Sequence, residues 1–263
     1  MDNSIVESVE RVICAMRNNL GESITIDDMA RTAMFSKFHF SRMFLRVTGI
    51  SPRRFLSALR LQEAKRLLLT SSLTVADVSH VVGYNSIGTF SSRFRLSVGV
   101  SPTTYRKNRG YVAPLEDHPR ADWQGLDRYP VLRGTLHHPP EFLPGRVVMG
   151  LFPDRIAQGL PVRHAALGGA GEFTIADVPD GTWYLIARAV GTGIGIDAER
   201  AAYVAACGPI KVAEGRPVRP LDVWLRRKSI FDPPALLAQL DEVMVATSAV
   251  PYRAAAESTP TVA

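Results

Sequence analysis

The 263-residue sequence contains only two cysteines, Cys14 and Cys207, and they lie far apart in the chain. So low a cysteine content excludes a small secreted scaffold that is stabilised by disulfides. The sequence also has no run of about 18 apolar residues, which excludes a predicted transmembrane helix. Its first residues lack the basic and apolar segments of a secretory signal. We therefore expect a cytoplasmic protein with no membrane partner.

Proline is scarce in the first 110 residues, which contain only Pro52 and Pro102 of the 18 prolines. Because proline interrupts helices, this region is predicted to be helical and the remainder rich in turns. Residues 1–110 contain 16 Lys and Arg against 8 Asp and Glu, whereas residues 111–263 contain 15 against 17. A region of net charge +8 beside one of −2 is typical of an anion-binding module joined to a partner domain.

The basic region contains an internal repeat. Residues 24–30 align with residues 73–79, and residues 40–55 align with residues 90–105. Each copy has a threonine suited to cap a short helix, then a turn, then a helix with phenylalanines four residues apart that ends at a glycine. The repeat predicts two helix-turn-helix units, at about residues 25–48 and 74–98. A linker helix over residues 53–70, roughly 27 Å long, is predicted to join them.

The side of each second helix that faces away from the phenylalanines carries polar and basic residues. Two helices joined by a short turn, with arginine on the outer side, are typical of a helix-turn-helix that reads DNA. A linker of the predicted length would place the two units on successive major grooves of one duplex. The alternatives make Phe38 a core side chain and Arg46 and Arg95 solvated surface charges. Met34 is predicted to lie in the core, because it recurs with other methionines at helical spacing.

Residues 8–109 resemble the DNA-binding domain of the AraC/XylS family of transcription regulators. The resemblance is carried by residues 36–44 (SKFHFSRMF), by residues 83–86 (GYNS) with 90–94 (FSSRF), and by residues 99–106 (GVSPTTYR). It implies seven helices and two recognition helices in adjacent major grooves. The predicted base contacts are Lys37, Phe38, Ser41, Arg42, Ile87, Gly88, Ser91 and Ser92. The predicted phosphate contacts are Ser36, Arg46, Ser86, Thr89, Arg93 and Arg95.

The second copy departs from the family pattern. The family often has an arginine directly after the serine numbered Ser91 here, but this sequence has Ser92 there and Arg93 one position later. Ile87 and Gly88 also lack the donors that make bidentate contacts to purines. We therefore expect the first recognition helix to make most of the direct base contacts, and the second to contribute mainly phosphate contacts.

The second region is predicted to begin with a linker over residues 111–145. Strands are predicted at residues 146–152, 171–178, 182–190, 208–212 and 221–226, with a hairpin turn at Asp180-Gly181. Residues 171–185 are similar to part of the carboxypeptidase-regulatory or prealbumin-like sandwich. The predicted fold is thus multi-domain α and β: an all-α double helix-turn-helix domain, then an antiparallel β-sandwich over residues 146–250. A C-terminal helix over residues 233–246 and a disordered tail over residues 251–263 are also predicted.

No catalytic motif is present. His137-His138 has no further ligands at metal spacing, and no Gly-x-Ser-x-Gly segment occurs, so we expect no enzyme activity, no cofactor and no metal. The leading hypothesis is a sequence-specific DNA-binding transcription regulator with a C-terminal sensing or oligomerisation domain. The alternatives are a ligand- or protein-binding β-sandwich anchored by the DNA-binding domain, and an enzyme fused to a DNA anchor. The expected partners are double-stranded DNA, RNA polymerase and a small-molecule effector of the C-terminal domain, with the chain a monomer or homodimer.

Overall fold

A computed structural model describes residues 3–111, 130–191, 202–214 and 216–238 of the chain. The described residues of the basic region form seven α-helices, the number that the resemblance implies. Their bounds are α1 (Asn3–Asn18), α2 (Ile26–Ala33), α3 (Lys37–Thr48), α4 (Pro52–Thr70), α5 (Val75–Val81), α6 (Ile87–Val98) and α7 (Pro102–Lys107). The two helix-turn-helix units are α2–α3 and α5–α6.

An aromatic cluster fills the core of each unit in the same way. In the first unit Phe44 lies between Phe40 and Phe55, with ring centroids 5.5 Å apart in both pairs. The second unit repeats this arrangement at 5.6 Å with Phe90, Phe94 and Tyr105. Edge-to-face and tilted contacts at this spacing are the favourable geometry for aromatic rings. The repeat in the sequence is therefore a repeat of core packing.

The linker helix α4 is 19 residues and about 28 Å long, one residue longer than predicted. It begins at Pro52, because proline in the first turn needs no intrahelical hydrogen bond. Leu56, Leu59 and Leu68 are buried, so α4 is the central support against which both units pack.

The remaining described residues form eight strands in two sheets. Their bounds are β1 (Leu132–His137), β2 (Pro144–Phe152), β3 (Arg163–Leu167), β4 (Gly171–Ile175), β5 (Gly181–Gly191), β6 (Ala202–Val212), β7 (Leu221–Trp224) and β8 (Arg226–Arg227). The strand order is β4-β1-β7 in the smaller sheet and β3-β2-β5-β6-β8 in the larger one. Buried side chains from both sheets form one hydrophobic core.

The predicted hairpin between β4 and β5 is wrong. β4 pairs with β1 in the smaller sheet, whereas β5 pairs with β2 and β6 in the larger one. The turn at Asp180-Gly181 therefore carries the chain from one sheet to the other. Val178, just before it, is buried, and its amide donates to the carbonyl of Pro130. The prediction of purely antiparallel strands also needs correction, since β1 and β7 are parallel, with Gly134 opposite Leu221.

Two predicted segments differ from the structure. The range predicted as a linker, residues 111–145, contains all of β1, whose Leu132 and Leu136 are buried in the core. The predicted C-terminal helix does not begin at residue 233: residues 233–237 are not helical, because the amides of Leu236 and Leu237 donate to the carbonyl of Ala157. The rest of that predicted helix and the predicted tail lie outside the described residues.

The two lobes are in direct contact. Residues 153–160, which follow β2 and are here called the bridging loop, pack against the helical lobe together with residues 230–238. Ile156 and Leu236 are buried in the helical core. Arg54 of α4 forms an ion pair with Asp154 at 2.5 Å, and the Lys65 ammonium donates to the carbonyl of Leu236 at 3.1 Å. The β lobe is thus fixed to the linker helix.

Candidate nucleic-acid interface

Both units use the same turn between their two helices. The turn residue, Met34 in the first unit and Gly83 in the second, adopts the left-handed conformation, with φ of 60° and 84°. In each unit the amide after it donates to a carbonyl five residues back: Phe35 to Ala30, and Tyr84 to Ser79. This pair of features is the Schellman motif, which satisfies carbonyls at the helix end. The turn therefore directs the second helix of both units along the same path.

Serines cap the N-termini of both second helices. The hydroxyl of Ser36 accepts from the amide of His39, and that of Ser86 accepts from the amide of Thr89, both at 3.4 Å. Gly49 and Gly99 end the two helices in the left-handed conformation. Since the caps leave other first-turn amides available, each N-terminus is a partial positive charge suited to an anion such as phosphate.

Helix α3 exposes the residues predicted to contact bases. Phe40 and Phe44 are buried on its inner side, whereas Phe38 is 82% exposed and Arg42 is exposed on the outer side. At this exposure Phe38 is not part of the core. Ser41 is half-buried, and its hydroxyl donates to the carbonyl of Lys37 at 2.8 Å.

Lys37 is already engaged within the protein. Its ammonium lies 3.1 Å from a carboxylate oxygen of Asp27 at the start of α2. The pair is exposed, so its stabilising contribution is small and a phosphate or base could displace Asp27. Lys37 therefore differs from Arg42, for which no ion pair is found among the described residues.

Helix α6 presents a less bulky outer surface. Ile87 is 44% exposed, and Gly88 faces open space, with the nearest atom to a Cβ at that position 3.7 Å away. Ser91 is half-buried, as Ser41 is in the first unit, and Ser92 is exposed. The predicted phosphate contacts in both units are exposed as well: Ser36, Arg46, Ser86, Thr89, Arg93 and Arg95. The structure thus places the predicted contacts on the outer side of each recognition helix.

Apart from Lys37, which pairs with Asp27, the basic side chains predicted to contact DNA are not neutralised by a neighbouring carboxylate in the described part of the chain. Within the described residues, no carboxylate pairs with Arg42, Arg46, Arg93 or Arg95. The acidic residues Asp28 and Asp77 instead bond to the threonine caps at the N-termini of α2 and α5. A hydrogen bond from the Thr25 hydroxyl, followed by one from its amide, lowers the pKa of Asp28, and Thr74 lowers the pKa of Asp77 in the same way. The outer surface therefore remains cationic.

Sequence reasoning missed two features of the interface. Met34 was expected in the core but is 84% exposed, because the left-handed turn position points its side chain to solvent. The alignment of Met34 with Gly83 was the available signal. The capping boxes were also missed: three hydrogen bonds link each threonine cap to an aspartate three residues later, Thr25 to Asp28 and Thr74 to Asp77. The signal was the Thr-x-x-Asp pattern in both copies.

In the β lobe, the ring of His137 from the His137-His138 pair is engaged by neighbouring side chains. His137 pairs with Asp222 at 3.0 Å and stacks on Trp224, with centroids 4.5 Å apart. Over the described ranges, no group of three or more His, Cys, Asp or Glu side chains could hold a metal ion. Over the same ranges, no helix combines the length and apolar character needed to cross a bilayer.

Comparison with known proteins places the helical lobe in a family. Residues 29–108 match the family model described as a helix-turn-helix domain. The chain is 30% identical over 101 residues to the Transposon Tn10 TetD protein of Escherichia coli, a match that covers 38% of this chain and 73% of TetD. The chain belongs to the AraC/XylS family.

Other relatives of this AraC/XylS-family chain include longer proteins. The transcriptional activator NphR of Rhodococcus is 36% identical over 107 residues, and the match covers 40% of this chain but only 32% of NphR. A solved structure, the DNA-binding domain of AdpA in complex with a target DNA, is 31% identical. It covers 38% of this chain and 89% of that domain, with a TM-score of 0.37. Each of these three matches covers about two fifths of this chain.

Proposed function

We propose that the chain is a sequence-specific DNA-binding transcription regulator whose two helix-turn-helix units contact adjacent major-groove segments of one duplex. The observation that carries the proposal is the duplicated unit itself. The same caps, turn and aromatic cluster occur twice, and each copy has an exposed cationic helix. The relatives named TetD and NphR, the second a transcriptional activator, support it.

In this proposal α3 makes most of the base contacts. The Arg42 guanidinium has the forked donors that bind a guanine edge in the major groove, and Phe38 can contact a thymine methyl. Ser41 and Lys37 complete this group. On α6, Ile87, Gly88, Ser91 and Ser92 face the bases but offer fewer donors. Specificity is therefore expected to be stronger at the half-site that α3 occupies.

The phosphate contacts supply affinity without sequence preference. Exposed arginines and the two capped helix N-termini would displace counterions from the duplex, which makes binding depend on salt. With about 5 to 8 phosphates contacted, log affinity is expected to fall with log salt at a slope of about −5 to −7. The predicted contacts are Ser36, Arg46, Ser86, Thr89, Arg93 and Arg95.

Selection of bound sequences from random duplexes, using the full chain, tests the proposal. The expected product contains two short half-sites about 10 base pairs apart, because that spacing brings two major grooves to one face of the duplex. A scrambled duplex of equal length and composition is the control. Equal affinity for selected and scrambled duplexes at moderate ionic strength would overturn the proposal.

For the second lobe we infer a β-sandwich that senses an effector or joins two copies of the chain. The support is the single core to which both sheets contribute, including Leu136 from the smaller sheet and Leu185 from the larger one. RNA polymerase is the proposed protein partner. Transcription in vitro from a promoter that carries the selected site, with and without the full chain, tests that partnership, and light scattering measures the oligomeric state.

A further inference from the structure

The bridging loop reaches the C-terminal ends of both recognition helices. The side chain of Arg155 lies against Gly49, which ends α3: a Cβ at Gly49 would be 2.7 Å from the Cδ of Arg155. The amide of Gly159 donates to the carbonyl of Ser97 in the last turn of α6, at 2.9 Å. The last carbonyls of a helix have no partner within the helix, so the β lobe supplies the donor for Ser97.

The middle of the loop is also anchored in the helical lobe. Ile156 is 2% exposed, and it belongs to the hydrophobic core of the helical lobe rather than to that of the β lobe. Just before it, Asp154 pairs with Arg54 in the first turn of α4. Residues 154–159 therefore contact the ends of α3 and α6 and the beginning of α4.

The same loop is tied to the rest of the β lobe. The carbonyl of Ala157 accepts from the amides of residues 236 and 237, at 2.9 and 3.3 Å. The guanidinium of Arg155 lies 5.7 Å from the ring centroid of Tyr184 in β5 and donates to the carbonyl of Gly208 in β6 at 3.4 Å. Arg155 therefore joins the end of α3 directly to the larger sheet.

This connection adds to the one that α4 provides. In the first unit Phe55 of α4 belongs to the aromatic cluster, and in the second the hydroxyl of Tyr84 lies 3.4 Å from that of Ser57 in α4. A single supporting helix opposes rotation about its own axis only weakly, whereas a second connection at the ends of α3 and α6 opposes it directly. That rotation matters on DNA, because moving a half-site by one base pair shifts it by about 3.4 Å and turns it by about 35° around the duplex.

We propose that the bridging loop is a positioning element for DNA recognition, which holds α3 and α6 at the separation that adjacent major grooves require and so determines the half-site spacing that the chain accepts. In this role, which rests on the proposed function, the loop residues act without touching DNA. They keep the two recognition helices in one arrangement. Once one helix is bound, this arrangement raises the effective concentration of the other helix at its half-site.

The test measures the affinity of the full chain for three duplexes by fluorescence anisotropy. The first is the selected site, the second has the half-site of α6 scrambled, and the third has the two half-sites moved apart by one base pair. The unaltered chain is expected to bind the selected site most tightly. If it binds the selected site no better than a fully scrambled duplex, the proposed function fails and the role of the loop fails with it. Loss of the loop's role alone appears only in variants of the loop.

Ile156→Ala removes the part of the loop that is buried in the helical core. Affinity for the selected site is expected to fall about tenfold, whereas affinity for the duplex with one half-site stays within about twofold, because each recognition helix is intact. Ile175→Ala is the matched control, since Ile175 is also 2% exposed but lies in the core of the β lobe. It is expected to leave all three affinities unchanged. Equal losses in the two variants, or equal losses on one and two half-sites, would overturn the proposal.

Gly159→Ala provides a second variant should Ile156→Ala fail to fold. Gly159 has a φ of 66°, and a Cβ there would lie 3.1 Å from the carbonyl oxygen of Leu96, so alanine is expected to displace the loop from the end of α6. The preference for the selected spacing over the shifted one should then fall by about threefold or more. Gly168→Ala, beside open space in the β lobe, is the control and should leave that preference unchanged. An unchanged preference in Gly159→Ala would overturn the proposal.

Discussion

The two helix-turn-helix units share a scaffold and differ in what surrounds it. Threonine and serine caps, the left-handed turn, the terminal glycine and the aromatic cluster occur at equivalent positions in both. The outer sides differ, since Phe38 and Arg42 in the first unit correspond to Gly88 and Ser92 in the second. The comparison shows that structural positions are held constant while contact positions are free to diverge.

The turns differ most in their neighbours. Met34 is exposed, whereas Gly83 packs against the loop after α1: a Cβ at Gly83 would lie 2.4 Å from the carbonyl oxygen of Leu20. Arg60 of α4 donates to that same carbonyl at 3.0 Å and to the carbonyl of Glu22 at 2.6 Å. Burial lowers the pKa of Arg60. The second turn therefore packs against both the loop after α1 and helix α4, whereas Met34 in the first turn faces solvent.

The largest effect is expected from Gly83→Ala. The new Cβ meets backbone atoms, and alanine in the left-handed conformation is strained, so the free energy of unfolding should fall by about 2–5 kcal/mol. Urea denaturation measures it. Gly88→Ala is the matched control: it lies in a helix beside open space, and should stabilise by about 0.5–1 kcal/mol. If Gly83→Ala lowers the free energy of unfolding by less than about 1 kcal/mol, the close packing of the second turn does not contribute as described.

The second-largest effect is expected on the recognition of DNA sequence. Arg42→Ala should reduce discrimination between selected and mismatched duplexes by about 1–3 kcal/mol, because a bidentate base contact is lost. Ser91→Ala, on the outer side of the second recognition helix, should cost less. Arg46→Ala should weaken binding to all duplexes alike and reduce the salt slope by about 1. Fluorescence anisotropy on a panel of single-mismatch duplexes measures these changes. A greater loss of discrimination in Ser91→Ala would overturn the asymmetry.

Removing either threonine cap should have equal effects. Thr25→Ala and Thr74→Ala each remove the two hydrogen bonds of the threonine hydroxyl, one from the aspartate amide and one to its carboxylate, and should lower the free energy of unfolding by about 1 kcal/mol. Thermal melting at neutral pH measures both. Thr32→Ala is the control: Thr32 is an exposed threonine of α2 whose hydroxyl donates to the carbonyl of Asp28 and does not cap a helix N-terminus. A difference above about 1 kcal/mol between the two cap variants would show that the scaffolds are not equivalent.

Met34→Gly should make the first turn resemble the second. Glycine takes the left-handed conformation without strain, although it also makes the unfolded chain more flexible. The net result should be a gain of about 0.5 kcal/mol, measured by urea denaturation. Met34→Ala keeps the strain and should show no gain. Loss of stability in Met34→Gly would mean that the exposed side chain contributes packing.

The smallest effect is on pH dependence. Because the pKa values of Asp28 and Asp77 lie below their ordinary value of 3.8 in the folded chain, the stability they contribute is present above about pH 4. It is lost as pH falls through the lowered values. Asp28→Asn and Asp77→Asn should therefore each reduce the loss of stability in acid by the same small amount, measured by melting between pH 2 and pH 6. Unequal reductions would again distinguish the two scaffolds.

The helical lobe was predictable because its signals are local. Caps, terminal glycines and phenylalanines four residues apart all lie in or next to the helix that they specify. The β lobe was less predictable, because strands that pair with each other lie far apart in the sequence. β1 pairs with β7 about ninety residues later, and a turn as suggestive as Asp180-Gly181 connects two sheets.

Through the bridging loop, the β lobe contacts both helix-turn-helix units. The amide of Gly159 donates to the carbonyl of Ser97 near the end of α6, while the side chain of Arg155 lies against Gly49 at the end of α3. A substitution in this one short segment can therefore disturb the C-terminal ends of both recognition helices without changing any residue of their outer sides.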